Sequence, residues 1–244
     1  MIDLHSHVLP RLDDGATNLH EALEMCRAAA RDGVEILAAT PHVRFDYPTT
    51  PEEMQSRLAD LQIAAEGIIR LVPGGELDLA ELDRPVEELR AFGLAGNPRF
   101  LLVETPYVGW PLDIAQRLHL VSAAGMTPVL AHPERNPEVQ ARPELLQPLV
   151  ELGALVQLTA ASVDGRLGKR ARLASRELLD RRLAHLVASD GHAPAVREIG
   201  LSRAVEALGD AALGEWLTAG VPGAIVHGGT LPPRPGRRGL FRRP

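Results

Sequence analysis

The chain opens on Asp3-Leu4-His5-Ser6-His7. Side chains alternate faces along a strand, so His5 and His7 point the same way. Two imidazoles so placed are a common grip on one metal ion. The spacing returns in Ser189-Asp190-Gly191-His192, now as a carboxylate and an imidazole. Between them stand Asp14, Thr40-Pro41-His42, Gly74-Gly75-Glu76, Glu104 and Ala131-His132-Pro133-Glu134-Arg135. The candidate ligands are therefore five imidazoles (His5, His7, His42, His132, His192) and four carboxylates (Asp14, Glu76, Glu104, Asp190). Nine donors exceed the needs of one ion, so two or three divalent ions with a bridging carboxylate are expected. Imidazole and carboxylate donors without thiolate suit Mn, Fe or Zn alike. Asp3 shares the face of His5; it either orients that ring or is a polar residue of the interior. The remaining histidines (His20, His119, His185, His227) fall on helices, a strand start or a late loop, and read as structural or exposed.

The elements that must position these groups are short apolar runs: Ile2–Leu4, Val34–Ala39, Ile69–Val72, Phe100–Val103, Thr127–Ala131, Ala154–Leu158 and Ala184–Ala188. Helical patterns alternate with them near Leu19–Arg31, after Thr50-Pro51, and near Leu112–Ala124, Pro143–Leu152, Lys169–Arg181 and Ala195–Leu208. The first carries Leu19, Leu23, Cys26 and Ala30 as its apolar stripe. Thr50 reads as an N-cap with proline at the first helical position. Gly33, Gly125 and Gly153 sit where helices should stop. Near-continuous apolar strands alternating with helices predict a parallel α/β fold, either a seven-unit barrel or an open sheet. Six of the seven strands deliver a His or a carboxylate at their carboxyl end; only the sixth, near Gln157–Thr159, does not. Active sites of parallel barrels gather at that end.

The 244 residues suffice for a sizeable core, built of Leu, Val, Ile and Ala because aromatics are only 3%. A net charge of -6 argues against nucleic acid as a partner. No apolar run approaches the roughly 20 residues of a membrane span, and the amino terminus reads straight into a strand, so no signal peptide is expected. One cysteine fits a reducing compartment, and a cytoplasmic location is expected. Residues 1–230 read as one domain. Leu231–Pro244, rich in Pro, Gly and Arg, reads as a disordered basic tail, either a plain solvated segment or a contact for anionic lipid or an acidic partner.

Together these motifs resemble the PHP superfamily of phosphoesterases: HxH, Asp13-Asp14-Gly15, Thr40-Pro41-His42, HPER at 132–135 and SDxH at 189–192. MIDLHSHVLPRLDDGA and LAHPERN look more narrowly like the bacterial CpsB/CapC-type protein-tyrosine phosphatases. The resemblance runs from Met1 to about Val226. It implies a distorted (β/α)7 barrel, a site of three metal ions, usually manganese, and hydrolysis of phosphotyrosine in proteins by a metal-activated hydroxide. It places all nine candidates as ligands, with Glu76 bridging, and Arg135 and Arg197 as phosphate-binding arginines. Asp190 and His192 are candidates for handling the leaving-group proton. The implied partner is a bacterial tyrosine kinase that controls polysaccharide export. Arg11 and the loop Val43–Tyr47 depart from the usual pattern, which bears on substrate rather than on metal.

Three other readings compete. A cysteine-dependent phosphatase needs Arg six residues after its Cys, but residue 32 is Asp and Cys26 lies on an apolar stripe. A histidinol-phosphate or other small-molecule phosphatase would share the ligands and differ at the rim loops Arg44–Tyr47 and Pro106–Trp110. A non-catalytic regulatory module should have lost ligands, and this set is complete.

Overall fold

The protein is described here from a computed structural model, covering residues 1–193 and 197–236. Its strands are β1 (Ile2–Asp3), β2 (Ile36–Ala39), β3 (His42–Arg44), β4 (Tyr47–Pro48), β5 (Arg70–Pro73), β6 (Glu76–Asp78), β7 (Phe100–Glu104), β8 (Thr127–Ala131), β9 (Leu155–Thr159) and β10 (Leu186–Ala188). The helices are α1 (Leu19–Arg31), α2 (Pro51–Ala64), α3 (Val86–Ala91), α4 (Ile114–Ala123), α5 (Pro137–Ala141), α6 (Gln147–Glu151), α7 (Ala160–Val163), α8 (Lys169–Asp180), α9 (Ser202–Leu208), α10 (Ala211–Glu215) and α11 (Val221–His227).

Parallel ladders dominate, in the orders β1-β2-β5 and β10-β9-β8-β7-β6-β3-β4. The two orders share chain paths. β2 runs on into β3, and β5 into β6 across Gly74-Gly75. A Cβ on Gly75 would lie 2.7 Å from the Phe92 ring, so only glycine lets this strand shift past Phe92. The shift puts Glu76 in register beside His42. The outer ends meet at one isolated parallel bridge, Ser6 to Gly191. The ladders are thus two largely parallel sheets joined there, the α/β fold expected from the sequence. Among the described residues the only antiparallel pairing is β3 with β4, in a segment the sequence left as a rim loop.

Helix signals behave as their chemistry requires. Thr50 Oγ1 accepts from Glu53 N, and the Glu53 carboxylate returns the bond to Thr50 N, a full capping box. The buried face of α1 is Ala22, Met25, Cys26 and Ala29, an i, i+3, i+4, i+7 stripe. The expected stripe through Leu19, Leu23 and Ala30 is therefore rotated by about one residue, and Leu19 is half exposed. Cys26 is buried as expected, and burial pushes its thiol up to about 12, where it is no nucleophile at neutral pH. Of the helix expected over Ala195–Leu208, α9 is present, 197–201 are not helical, and 194–196 lie outside the described residues.

The chain stays packed beyond the expected boundary at 230. Trp216 Nε1 donates to Pro232 O at 2.9 Å. Arg234 donates to Ala184 O and Leu179 O at 2.8 and 2.9 Å and stacks on the Trp216 ring. One guanidinium fork reaches a carbonyl in the last turn of α8 and another just before β10, so residues 231–236 are not an unpacked tail. The remainder of that tail, 237–244, lies outside the described residues. Among the described residues no helix is long and apolar enough to cross a membrane.

Candidate metal centre

The strand ends bring all nine candidate ligands into one cluster. Ser6 holds the first pair in place: its N donates to Thr40 Oγ1 at 3.1 Å and its Oγ to Ala38 O at 2.7 Å. With Ser6 turned toward β2, alternation sends His5 and His7 into the interior, with their Nε2 atoms 3.2 Å apart. His132 and Asp190 follow β8 and β10 with φ of 34° and 50°. That left-handed backbone costs a non-glycine residue of order 1 kcal/mol or more, and it turns both side chains inward at once.

Four overlapping donor groups result: His7, Asp14, His42 and His192; His5, His7 and Asp190; His5, Glu76 and His132; and His42, Glu76 and Glu104. Within each, the ligand atoms lie within 4.8 Å of one another. Glu76 Oε2 is the centre. It lies 3.0 Å from His42 Nδ1, 3.2 Å from His5 Nε2 and 3.3 Å from His7 Nε2. It nevertheless makes no hydrogen bond of acceptable geometry, and neither does His42 Nδ1. A buried carboxylate oxygen ringed by imidazole nitrogens that do not bond to it is a donor set shaped for cations, since a buried polar atom otherwise finds a partner. Asp14 is the one half-exposed member and marks the solvent side.

Two cations close on Asp190. Arg135 Nη1 lies 2.7 Å from Asp190 Oδ2. Arg197 Nη1 reaches the same oxygen, and donates to Asp190 O at 2.9 Å. Burial works against the Asp190 charge, but His5, His7, His132 and Arg197 outweigh it and hold the carboxyl well below its ordinary range. Glu104 goes the other way: burial, then the Glu76 charge, raise it to about 7. Aromatic rings border the opening. Tyr47 stacks on His42 with centroids 5.8 Å apart, and Tyr107 on His132 at 6.0 Å. Arg44 lies over Tyr47 and Arg135 over Tyr107.

Two groups not assigned from the sequence brace candidate ligands, and a third ties the rim together. Asp13 Oδ2 lies 2.6 Å from His7 Nδ1 and accepts from His42 N at 3.0 Å. Gln157 Oε1 lies 3.0 Å from His5 Nδ1 and accepts from His132 N at 3.3 Å. The sixth strand, which seemed to contribute nothing, thus fixes two ligands. Asn136 Nδ2 donates to Pro106 O and Gly109 O, tying the Tyr107 loop to the His132–Arg135 turn. Asp3, by contrast, does not orient the His5 ring. It accepts from the backbone N of His5 and of Ser189, and burial raises it to about 6. It is an interior polar residue. His20, His119 and His227 are exposed. His185 accepts from Val156 N, and burial lowers it to about 4. None of the four joins the cluster.

Ligand-orienting carboxylates typically contribute 10–100-fold to metal affinity. Asp13→Asn should therefore weaken metal binding by about that factor and leave the far-ultraviolet circular dichroism unchanged. Titrating metal into both proteins after chelator treatment checks it; equal affinities would show that Asp13 orients nothing.

A parallel α/β scaffold thus gathers candidate metal-binding groups at its strand ends, beside two arginines. A family profile described as "Capsular polysaccharide synthesis, CpsB/CapC" matches residues 1–216. The chain belongs to the CpsB/CapC family. It is 36% identical over 197 residues to the tyrosine-protein phosphatase YwqE of Bacillus subtilis, covering 79% of this chain and 77% of that one. It is 30% identical over 210 residues to the tyrosine-protein phosphatase CpsB of Streptococcus agalactiae, covering 79% and 83%. The fold superposes with a TM-score of 0.84, at 31% identity, over 98% of this chain and all of its counterpart. That counterpart comes from the crystal structures of YwqE from B. subtilis and CpsB from Streptococcus pneumoniae, described as unique metal-dependent tyrosine phosphatases.

Proposed function

We propose that this chain is a metal-dependent phosphoric monoester hydrolase that removes phosphate from tyrosine in proteins. The observation that carries the reading is the Glu76-centred cluster of nine donors with Arg135 and Arg197 at its edge. The phosphatase names of its relatives support the substrate. We read the strand run, joined at Ser6–Gly191, as a distorted barrel with this site at its carboxyl-terminal mouth.

His5, His7, Asp14, His42, Glu76, Glu104, His132, Asp190 and His192 would hold two to three ions, manganese before iron or zinc, with Glu76 shared between groups. When bound, such ions supply Lewis-acid charge and lower the pKa of water toward roughly 7. The chain's own residues do the rest. Arg135 and Arg197 converge on one point and offer charge-assisted, fork-shaped bonds to phosphoryl oxygens. Tyr47 and Tyr107 give the mouth two flat apolar walls that fit an aromatic leaving group. Asp190 is held ionised by its cationic neighbours and has no proton to give that group, which leaves His192 as the candidate to hand it one. A tyrosine hydroxyl has a pKa near 10, so its departure needs less acid assistance than an alkyl alcohol. The protein substrate we favour is a bacterial tyrosine kinase of the capsule-export type, met in the cytoplasm.

Phosphate release from a phosphotyrosyl peptide and from histidinol phosphate, run side by side with manganese, separates the nearest alternative. Turnover of the peptide should exceed that of histidinol phosphate by at least about tenfold in kcat/KM, a difference of about 1.4 kcal/mol at the barrier. Release from histidinol phosphate alone would keep the metal site and overturn the substrate.

A further inference from the structure

Between His132 and Arg135 stands a carboxylate that takes no part in the metal cluster. Glu134 is fully buried, yet among the described residues it belongs to none of the four donor groups. Burying a carboxylate is unfavourable unless hydrogen bonds compensate, so its partners indicate its role. Strands β8 and β9 pair at Val129–Leu155 and Leu130–Val156. Past these pairs the chain of β8 takes its left-handed step at His132, with φ of 34°. A backbone that turns away gives up its ladder partners, and the buried amides must find others. His132 N donates to Gln157 Oε1 at 3.3 Å, and Thr159 N donates to Glu134 Oε1 at 3.0 Å. Each segment thus lends a side chain to the backbone of the other. The pairing of β8 with β9 continues through Glu134 and Gln157 where the backbone ladder stops.

That exchange seats the short 3-10 turn Pro133–Arg135 on the end of β9. Gln140, in α5, adds a second hold: its Nε2 donates to Glu134 O at 2.9 Å and to Arg135 O at 3.4 Å. The turn ends at Arg135, whose guanidinium reaches Asp190 and lies over the Tyr107 ring. A long side chain inherits any shift of its own backbone. The backbone of His132 has Gln157 to hold it, whereas the turn that carries Arg135 rests on Glu134.

We infer that Glu134 is a positioning residue: its carboxyl group, seated on Thr159 N, sets where the Arg135 guanidinium meets the phosphoryl group of the substrate. The inference rests on the reading of Arg135 as a phosphate-binding arginine. Glu134 itself touches no substrate. What the turn requires of it is an acceptor oxygen at that place, not a charge.

Two variants separate the oxygen from the space it fills. Glu134→Met keeps an unbranched apolar chain and loses the acceptor, while Glu134→Gln keeps one. On a phosphotyrosyl peptide with manganese, Glu134→Met should raise KM and the inhibition constant of inorganic phosphate by at least about tenfold, because a misplacement of about 1 Å is enough for an effect of that order. Its metal content should match wild type, and kcat should change by less than about threefold. Glu134→Gln should stay within about threefold of wild type in every constant. A general loosening of the fold would act in any background. In Arg135→Ala, by contrast, adding Glu134→Met should change KM by less than about twofold, since the group it positions is already gone. Should Glu134→Met fail to fold, Gln140→Leu, at a half-buried position of α5, should shift the same two constants in the same direction, and again not in Arg135→Ala. Wild-type constants in folded Glu134→Met would overturn the inference. So would an equal effect in both backgrounds, an equal loss in Glu134→Gln, or a loss of metal alongside the loss of phosphate affinity. If Arg135→Ala alone left both constants unchanged, the reading of Arg135 would fall. A clear loss there beside an inert Glu134→Met would overturn only the role of Glu134.

Discussion

Glu76→Gln should reduce kcat/KM on a phosphotyrosyl peptide by about a thousandfold or more, equivalent to about 4 kcal/mol of lost transition-state stabilisation. Glu76 is fully buried and belongs to two of the four donor groups, and its Oε2 has three imidazole nitrogens within 3.3 Å. Glutamine fills the same volume, so packing against the neighbours survives. It offers only one oxygen, has no charge, and cannot be shared between cations as a carboxylate is. The variant should bind fewer ions per chain while its circular dichroism matches wild type. His5→Ala and Asp190→Ala should behave alike, each removing a donor that no neighbour replaces. Steady-state kinetics with metal analysis of the same samples would decide. A folded Glu76→Gln protein that kept wild-type turnover and metal content would remove Glu76 from the centre of the site.

The second large effect is one of backbone space. A Cβ at Gly15 would lie 2.0 Å from His7 O and 2.4 Å from His7 Cβ. The approach is close because the loop after His7 folds back on it, with Ala16 N donating to His7 O and Arg11 N to Ala16 O. That same loop delivers Asp13 to the His7 ring and Asp14 to the mouth. No rotamer change relieves a clash with a carbonyl oxygen, so Gly15→Ala must push the loop off the first strand. The cost should be at least about 3 kcal/mol, a drop in Tm on the order of 6 to 12 °C for a chain of this size. Metal binding should fail with it, since Asp13 and Asp14 move together. Thermal unfolding followed by circular dichroism, with and without manganese, reads both effects. A variant with unchanged Tm and undiminished metal affinity would mean that the loop does not pack on His7 as described.

Most of the candidate ligands are legible in the sequence because they end apolar runs or follow them closely, where a parallel fold must gather polar groups. His5, His42, His132 and Asp190 announce themselves by breaking hydrophobic segments. The groups that orient them are harder to read, because orientation is made by contacts between distant segments. Gln157 and His5 are 152 positions apart. The available signal is that Gln157 is a lone amide inside Leu155-Val156-Gln157-Leu158-Thr159, a strand buried throughout. Asp13 and Asp14 are adjacent carboxylates of opposite duty, and only the fold of the Gly15 loop says which faces the ring and which faces solvent. The α1 stripe was displaced because Leu19 and Leu23 outrank Ala22 and Ala29 in hydrophobicity, yet close packing against the sheet selects small side chains. The basic composition after Leu231 hides the fit of Arg234 to two carbonyls and a Trp216 face, which no composition reveals.

Metal dependence is the central claim, and one measurement bears on it most directly. The purified full-length protein would be stripped with chelator, analysed for bound metal, and assayed on a phosphotyrosyl peptide as manganese is returned. The account predicts no phosphate release from the stripped protein and recovery that tracks the binding of two to three ions per chain. Full activity in the metal-free protein would contradict it, and so would binding of those ions with no gain in phosphate release.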